Sequence, residues 1–462
     1  MSAAGRDLVV VGQGAAGLSA ALAAAEEARS ASVRVTLIDK APEHEAGGNT
    51  RWSPSYMRMA APGRVEQSFV RDMLAATGPE GDEAYFARLA ADAPATVAWI
   101  ATHGVTFTQP TYYLAKGPPR IQPAGGGPAL IAALTRAARA AGVTIRHGCA
   151  AREIVSEAGR VSGLALDGGA TIAADAVVLA CGGFQGNAAM MRAHFGPGAE
   201  TMRLISPGTR FNTGDGIRMG RAIGASRAGD WNGMHAEPID VRSHNSAPVV
   251  LVYPYGLVVD RNGLRWFDEG GGLVHETWEW FARELHFKAP GSIGYAILDS
   301  RLLEIADWQR AVRSEVAPLR ADTLCGLAQL IGVDAGQLLA TVAAYNAACI
   351  GDPATFDATR LDGLAAGHAL QPPKSNWARA ITTAPFLAYP LIGAVAYTFG
   401  GLATDTRARV LRDGAPVPGL YAAGEITGHF HRTAPNAVSV LRAFVFGRIA
   451  GREAVMQIAS AI

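Results

Sequence analysis

Short apolar runs and longer alanine-rich stretches alternate along the first part of the chain. Residues 8–11 and 33–39 are strand-like runs, and residues 18–28 between them are rich in alanine. Short apolar runs bounded by glycine predict buried parallel strands, and a helical stretch between two of them predicts a crossover helix. The pattern therefore predicts a strand–helix–strand unit within the first 39 residues.

The same alternation continues to about residue 240, changes character, and returns near the end of the chain. It predicts, in chain order, helix 128–141, strand 143–146, paired strands 153–155 and 161–166, strand 176–180 and helix 217–223. Aromatic residues and mixed helices such as 335–348 then follow, and a final helix is predicted over 436–460. We therefore expect an α/β fold in which 1–240 and 376–462 form one Rossmann-like domain and 241–375 form an inserted α+β cap domain.

A glycine turn joins the first strand to the alanine-rich helix. Gly12 permits a tight turn, Gly14 lets the backbone approach a pyrophosphate, and Gly17 lets the helix pack closely on the strand. The phosphates of a dinucleotide then lie at the helix N-terminus, and the acid that ends the second strand is placed to bind a ribose. The residues expected to contact the dinucleotide are Gly12, Gly14, Ala15, Ala16, Gly17, Asp39 and Lys40.

Three further segments favour a flavin over a nicotinamide. Residues 47–50 follow the second strand, where a glycine pair lets the backbone approach a flat ring and the next two side chains can hydrogen-bond to it. Residues 182–183 are small, as is needed where the chain turns beneath a bound cofactor. Residues 424–425 follow another strand and place a carboxylate where it could bind a ribityl hydroxyl. Together they predict a long ligand such as FAD, so the Rossmann-like domain is expected to be an FAD-binding domain. The residues concerned are Gly47, Gly48, Asn49, Thr50, Gly182, Gly183, Gly424 and Glu425.

Composition and charge argue against several other classes of protein. The 462 residues carry 41 Lys+Arg against 40 Asp+Glu, so no basic surplus indicates a nucleic-acid partner. The four cysteines are far apart in sequence, which argues against a metal or iron–sulfur site and fits a reducing compartment. No uninterrupted apolar run reaches the ~18 residues of a transmembrane helix. We expect a cytoplasmic enzyme without metal, nucleic-acid partner or direct membrane insertion.

Several motifs, in this order along most of the chain, resemble the flavoproteins of the fumarate reductase/succinate dehydrogenase family. They read GQGAAG (12–17), GGNTRWS (47–53), VVLACGGF (177–184), NTGDGIRMGRAIGA (212–225), TFGGLATD (398–405) and GLYAAGEITG (419–428). The segments AGDWNGMHAEPID, YPYGLVVD and SVLRAFVFGRIAG are most similar to a tricarballylate dehydrogenase-like branch.

The resemblance implies which residues hold FAD. It assigns this role to Asp39, Gly48, Asn49, Thr50, Ala151, Asp215, Glu425, Asn436, Ala437, Val438, Ser439 and Val440. A helix N-terminus after residue 436 would place positive partial charge beside the anionic reduced flavin. Some family members attach the flavin through a histidine, but residues 49–52 here contain none. We therefore expect non-covalent FAD.

The resemblance also implies the reaction, a transfer of two hydrogens across a C–C bond beside a carboxylate or carbonyl. We favour α,β-dehydrogenation of a small carboxylic acid, tricarballylate-like, with hydride transfer to flavin N5 and a separate electron acceptor. Three alternatives stay open: an enoate reductase fed by an electron donor, a desaturase of a cyclic ketone or keto acid that uses oxygen, and a flavin-binding protein without turnover.

Departures from the family pattern direct attention to other side chains. The family's proton-transferring arginine is missing after Glu269, where the chain reads on to His275, and Ala396 replaces a substrate-clamping histidine. His431 and Arg432 precede the flavin-facing helix and could hold a substrate carboxylate. His235 matches a substrate-side histidine by position, and two residues could carry the proton. The catalytic candidates are therefore His431, Arg432, His275, Tyr397 and His235.

Overall fold

The computed structural model describes residues 6–30, 32–111, 113–114, 117–367 and 370–460. The strands are β1 (Arg6–Val11), β2 (Val33–Ile38), β3 (Phe107–Thr108), β4 (Gln122–Pro123), β5 (Thr144–Arg146), β6 (Ala151–Glu157), β7 (Arg160–Leu166), β8 (Thr171–Ala173), β9 (Ala176–Leu179), β10 (Arg203–Leu204), β11 (Arg227–Ala228), β12 (Met234–Asp240), β13 (Leu257–Asp260), β14 (Gly294–Leu298), β15 (Leu319–Ala321), β16 (Phe386–Thr398), β17 (Gly401–Leu402), β18 (Arg409–Arg412) and β19 (Ala415–Ala422). The helices are α1 (Ala15–Glu27), α2 (Gly48–Trp52), α3 (Phe69–Thr77), α4 (Glu83–Thr102), α5 (Gly126–Ala140), α6 (Ala188–Phe195), α7 (Asp215–Ala222), α8 (Val274–Phe287), α9 (Leu324–Ile331), α10 (Ala335–Ala348) and α11 (Ser439–Ser460).

The first sheet has the order β18-β19-β9-β1-β2-β5, and all neighbours except the β18–β19 pair are parallel. Its strands are apolar on both faces because both faces are covered. In β1, Leu8 and Val10 pack with the helices, whereas Val9 and Val11 pack with residues of the antiparallel β6-β7-β8 sheet. The predicted Rossmann-like α/β domain is thus built from both ends of the chain, since β19 and α11 come from its last part.

Helix α11 packs closely along α1 on this sheet. A Cβ atom added to Gly447 or Gly451 would collide with the backbone of Ala16 or Ala20. The two glycines, four residues apart, lie on one side of α11, and the small residues of α1 face them at the same spacing. This contact brings the N-terminal end of α11 to the glycine turn after β1.

The second sheet is built around the long strand β16. It has the order β10-β16-β14-β13, and β12 and β15 also pair with β16. Alternate residues of β13 and β14 face α8 on one side and α9 and α10 on the other. This sheet and its helices form the second body of the protein.

Every strand and helix that the sequence patterns predict is present, but many others, including β16, were not predicted. The thirteen residues of β16 are nearly all buried and show no strand–helix alternation. The second sheet extends beyond 241–375 on both sides because β12 and β16 pair within it, so the bounds of the cap domain stay a prediction. The final helix begins at Ser439 rather than at residue 436. Among the described residues, none of the helices combines the length and hydropathy that crossing a membrane requires.

Candidate functional site

A cavity of about 690 Å³ lies at the carboxyl ends of the parallel strands, between the two sheets. Val11, Ile38, Ala180 and Ala423 mark the strand ends that border it. Ligands of open α/β sheets bind at such ends, where the strand order reverses direction. The predicted cofactor residues that line the cavity are Gly12, Gly14, Ala15, Ala16, Asp39, Lys40, Gly48, Asn49, Thr50, Ala151, Gly182, Asp215, Gly424, Glu425, Asn436, Ala437, Ser439 and Val440.

Four predicted cofactor residues do not line the cavity, and packing explains each. A Cβ atom on Gly17 would collide with the carbonyl of Gly12, so this residue allows α1 to start against the turn. Gly47, at a φ of 128°, is close to Arg51 and Ile131, and Val438 is fully buried in the core. Gly183 leaves room for the carboxylate of Glu425. These four residues therefore allow close packing next to the cavity without lining it.

The two acidic residues near the glycine turn have different partners. The carboxylate of Asp39 accepts hydrogen bonds from the backbone N–H groups of Gln13 and Ala41, each at 2.7 Å. Burial raises the pKa of Asp39 despite these bonds. Asp215 accepts from Lys40 Nζ at 2.7 Å. Burial alone would raise the pKa of Asp215, but the hydrogen bond and the charge of Lys40 outweigh burial and lower this pKa overall.

A β-bulge between His235 and Ala236 shapes the wall of the cavity on the second sheet. His235 pairs with Tyr397 and Ala236 with Val395, so Ala396 is the extra residue of β16. Its carbonyl oxygen accepts from the amide groups of Asn49, at 2.8 Å, and Gln185, at 3.0 Å. Bulges release backbone groups from the ladder and redirect nearby side chains. The bulge therefore ties the second sheet to the loop after β2.

Both ends of the Asn49 amide hydrogen-bond to other parts of the protein. Besides donating to Ala396, its Oδ1 accepts from Thr209 Oγ1 at 2.7 Å and from Ser206 Oγ at 3.1 Å. Asn49 thus lines the cavity and also connects the two bodies, and its predicted contact with FAD stays a prediction. The hydroxyl of Thr50 accepts from the N–H of Ala15 at 3.2 Å, so the loop also meets the N-terminus of α1.

The bulge places His235 between two glutamates and against an aromatic ring. Its Nδ1 is 2.6 Å from Glu279 Oε2 and its Nε2 is 3.4 Å from Glu237 Oε1. Its ring stacks on that of Tyr397 with centroids 4.8 Å apart. Burial opposes protonation, but the hydrogen bonds and charges of Glu237 and Glu279 raise the pKa of His235 to about 9. The imidazole is therefore a buried cation at neutral pH.

His275 and Tyr397 line the same cavity in the opposite electrostatic setting. Burial first, and then the charges of Arg120 and Arg58, lower the pKa of His275 to about 4. Burial also raises the pKa of the Tyr397 phenol, against a hydrogen bond from Ser439. At neutral pH His275 is therefore a neutral imidazole and Tyr397 a neutral phenol.

His431 and Arg432 do not line the cavity, and their contact with substrate stays a prediction. The lining resumes only at Thr433. The backbone of Arg432 has a φ of 56°, its side chain is exposed, and its guanidinium lies beside Gly78. This left-handed turn directs the side chain toward the surface of the first body.

The structure adds site residues that the sequence reading missed. Glu237, Glu279, Arg120, Arg313 and Tyr56 all line the cavity. Two spacings carry a usable signal: residues 235 and 237 share one face of a strand, and residues 275 and 279 share one face of a helix. Arg120 and Arg313 come from separate irregular segments, and the sequence holds no pattern that joins them.

The residues present fit FAD. A tight glycine turn, the N-termini of α1 and α11, and a partly buried carboxylate at 425 all border one cavity. Glu425 accepts from the N–H of Thr398 at 3.2 Å and from Asn212 Nδ2 at 3.3 Å, and burial raises its pKa to about 7. Such a carboxyl group suits a hydroxyl partner better than a cation.

Comparison with known proteins agrees with this fit. The FAD binding domain family matches residues 7–440. The probable fumarate reductase Ifc3 of Shewanella frigidimarina is 30% identical over 97% of this chain and 74% of its own length. The 4-oxocyclohexanecarboxylate 2-dehydrogenase of Sinomonas cyclohexanicum is 30% identical over 64% of this chain and 54% of its own.

A solved structure of a flavocytochrome c3 fumarate reductase in its open conformation is 26% identical. It aligns with a TM-score of 0.79 over 98% of this chain and 78% of the other. The expected family, fold and cofactor are confirmed, while the likeness to a tricarballylate branch and the non-covalent attachment stay predictions. The chain belongs to the FAD binding domain family, among the fumarate reductase flavoproteins, and is an FAD-dependent oxidoreductase.

Proposed function

We propose that the enzyme reduces the C=C bond of a small enoate, a carboxylic acid with a double bond beside its acid group. The observation that carries this proposal is the imidazolium of His235, which two glutamates hold in the wall of the FAD cavity. Reduction of a double bond consumes one hydride and one proton, and a group protonated at neutral pH supplies the second. Bound FAD supplies the hydride in its reduced form.

The proton reaches the substrate through Glu237 in this proposal. Oε1 of Glu237 faces His235, and among the described residues no group hydrogen-bonds its other oxygen, Oε2, which is buried. A proton passes from His235 Nε2 to Glu237 and from Glu237 to the substrate α-carbon. The hydride that bound reduced FAD would supply adds to the β-carbon, so that the π bond is replaced by two C–H bonds. Glu279 positions the imidazole from behind.

Anaerobic mixing tests the proposal. Reduced holoenzyme is mixed with fumarate or acrylate while the flavin absorbance at the oxidised maximum is followed. Rapid return of the oxidised spectrum with a stoichiometric yield of the saturated acid is expected. His235→Gln should slow this reoxidation by a factor of ~10²–10⁴, the contribution of one proton-transferring group. Reduced flavin that no enoate reoxidises would refute the proposal.

The opposite direction, α,β-dehydrogenation, is a second candidate, and His275 favours it. A neutral imidazole in the same cavity can accept the proton that leaves an α-carbon. Tricarballylate and 4-oxocyclohexanecarboxylate are the acids to test, because one follows the expected branch and the other is the substrate named for a relative. Bleaching of the oxidised flavin by either acid would support this direction, and peroxide release would identify oxygen as the acceptor.

We also propose that the enzyme exchanges electrons with a separate carrier and that it is located in the cytoplasm. The cytochrome-type fumarate reductases among the relatives suggest that the electron carrier is a redox protein. NADH and a quinone are the two alternative carriers. Reduction of the oxidised holoenzyme by NADH, by a quinol or by a reduced cytochrome, each supplied alone, would identify the carrier. Cell fractionation with an antibody to this chain would test the location.

A further inference from the structure

The first turns of helix α8 reach over the FAD cavity. The buried residues on the inner side of this helix, at the three- and four-residue spacing of one helical face, are Val274, Trp278, Phe281 and Leu285. Phe281 and Leu285 pack inside the second body. Trp278 lies closer to the N-terminus of α8 and lines the cavity. The cavity wall therefore contains an indole ring that the second body supplies.

Two aromatic rings meet the indole of Trp278 edge to face. The ring centroid of Tyr113 lies 5.5 Å away at an interplanar angle of 72°, and that of His235 lies 6.2 Å away at 66°. Such contacts are the preferred arrangement of aromatic pairs and restrict the plane of the ring. The indole is thus a positioned group beside the imidazolium on which the proposed function depends.

The indole N–H of Trp278 has a special place in the hydrogen-bond network. Among the described residues, none accepts a hydrogen bond from Nε1 of Trp278, and this atom is not sealed inside the protein as the unpaired indole nitrogens of Trp231 and Trp266 are. Trp278 is only 7% exposed and lines the cavity, so the accessible surface of its nitrogen faces the cavity. Buried indole N–H groups normally have a partner. We expect this partner to be a bound ligand.

The charges near the indole favour a neutral acceptor over an anion. Glu276 and Glu279 belong to the same turns of α8 and also line the cavity. Glu279 is paired with His235, and Glu276 accepts from the backbone N–H of Leu273 at 3.1 Å. Carboxylates on this part of the wall would repel a second negative charge beside the indole. The carbonyl oxygen of an amide, an ester or a ketone would accept the hydrogen bond without that repulsion.

We propose that Trp278 determines substrate specificity by donating its indole N–H to a neutral carbonyl oxygen, which the substrate carries in addition to its acid group. The ring neighbours of Trp278 are His235 and Tyr113 rather than residues predicted to hold FAD, so the donor lies on the substrate side of the cavity. A site built around such a donor rejects an analogue without the acceptor, because the buried N–H is then unpaired. This inference rests on the proposed function, since it names the class of enoate that is reduced.

Fumaramate and (E)-4-methylpent-2-enoate form the matched pair of probes. Both carry an acid group beside a C=C bond, and they differ at the far end, where the first has an amide and the second an isopropyl group of similar shape. Oxidised holoenzyme has no hydride to transfer, so binding of either probe can be followed by the change in flavin absorbance without turnover. The wild type should bind fumaramate roughly tenfold more tightly, or better, than 4-methylpent-2-enoate.

Two substitutions of Trp278 separate the N–H from the ring. Trp278→Phe keeps an aromatic ring and removes the donor, so it should abolish the preference for fumaramate and leave the affinity for 4-methylpent-2-enoate within about twofold. Trp278→His restores a ring N–H and should retain part of the preference. With reduced holoenzyme, Trp278→Phe should lower kcat/KM for fumaramate by a factor similar to its loss of affinity.

Trp280→Phe is the matched control on the same helix. The indole of Trp280 is exposed, donates to Glu284 at 3.1 Å and does not line the cavity. Both affinities should therefore equal those of the wild type. Flavin content and melting temperature verify the folding of each variant.

Equal binding of the two probes by the wild type, or an unchanged preference in folded Trp278→Phe, would overturn the assignment. A parallel loss of both affinities in Trp278→Phe would give Trp278 a packing role and would also overturn it. A wild type that prefers fumaramate in binding, but whose reduced flavin neither enoate reoxidises, would instead refute the proposed function and leave the donor role of Trp278 standing.

Discussion

Replacement of Glu279 by glutamine tests whether the charge on His235 drives the reaction. The pKa of His235 is about 9 against an ordinary 6.5, which corresponds to about 3 kcal/mol in favour of the imidazolium. Burial alone would lower this pKa, and Glu279 at 2.6 Å is one of the two carboxylates that outweigh burial. With one carboxylate lost, we expect the pKa of His235 to fall to its ordinary value or below.

The rate of flavin reoxidation by an enoate should follow this titration. In the wild type the rate should decline only as the pH rises through about 9. In Glu279→Gln the decline should be centred near or below pH 6.5, so that the rate at pH 7.5 falls roughly tenfold and recovers on acidification. Stopped-flow measurement from pH 5.5 to 10 gives both curves. An identical alkaline limb in wild type and variant would refute the reasoning.

The thermal stability of the protein should also depend on the protonation of His235. The folded-state pKa of His235 is raised, so its contribution is fully present below about pH 6.5 and is lost as the pH rises through about 9. The melting temperature of the wild type should therefore fall over this window, and that of Glu279→Gln should fall less. Glu284→Gln removes the same charge from the same helix, where Glu284 pairs with Lys288, and should behave as wild type.

Three further substitutions test the packing behind the site, the core of the second body and the charge in the cavity wall. Gly183→Ala should weaken FAD binding by about 1–3 kcal/mol in a fluorescence titration of the apoprotein, because the added methyl group meets the carboxylate of Glu425. Lys374→Met should lower the free energy of unfolding by about 3 kcal/mol in a denaturant titration, since the fully buried ammonium donates to two backbone carbonyls and lies 3.8 Å from Glu269. Arg442→Gln should make the flavin midpoint potential more negative by roughly 30 mV, about 1.4 kcal/mol for a two-electron couple, because a buried cation in the cavity wall favours the anionic reduced flavin. An unchanged potential would exclude Arg442 from that role.

Cofactor recognition could be predicted from sequence because the residues concerned lie close together along the chain. The turn at Gly12, the helix that follows and the acid at Asp39 are close in sequence, and each has one physical reason to be there. Even the distant glutamate at 425 stands directly after a strand, where its role can be inferred. The sequence could not distinguish residues that line the cavity from residues that pack behind it. Gly17 and Gly183 are of the second kind.

The substrate side resisted prediction because it depends on long-range pairing. The chemistry of His235 depends on Glu279, which lies on another element, and on a bulge in the partner strand β16. A strand register cannot be read from an apolar stretch that is buried on both faces, since alternation is then absent. For the same reason Ala396 reads as a missing histidine in the sequence, whereas in the structure its freed carbonyl binds Asn49.

The bulge also explains how one scaffold can keep FAD and change its substrate chemistry. Most of the residues predicted to hold FAD belong to the first body, whereas the imidazolium of His235 comes from the second. The carbonyl at 396 is the link between them, because it accepts from Asn49 of the cofactor loop while its neighbour Tyr397 stacks on His235. A one-residue change in that register would turn His235 away from the cavity and leave the glycine turn untouched. If the proposed role of His235 is right, strand pairing in the second sheet affects the substrate chemistry, whereas the predicted FAD contacts follow from local sequence in the first body.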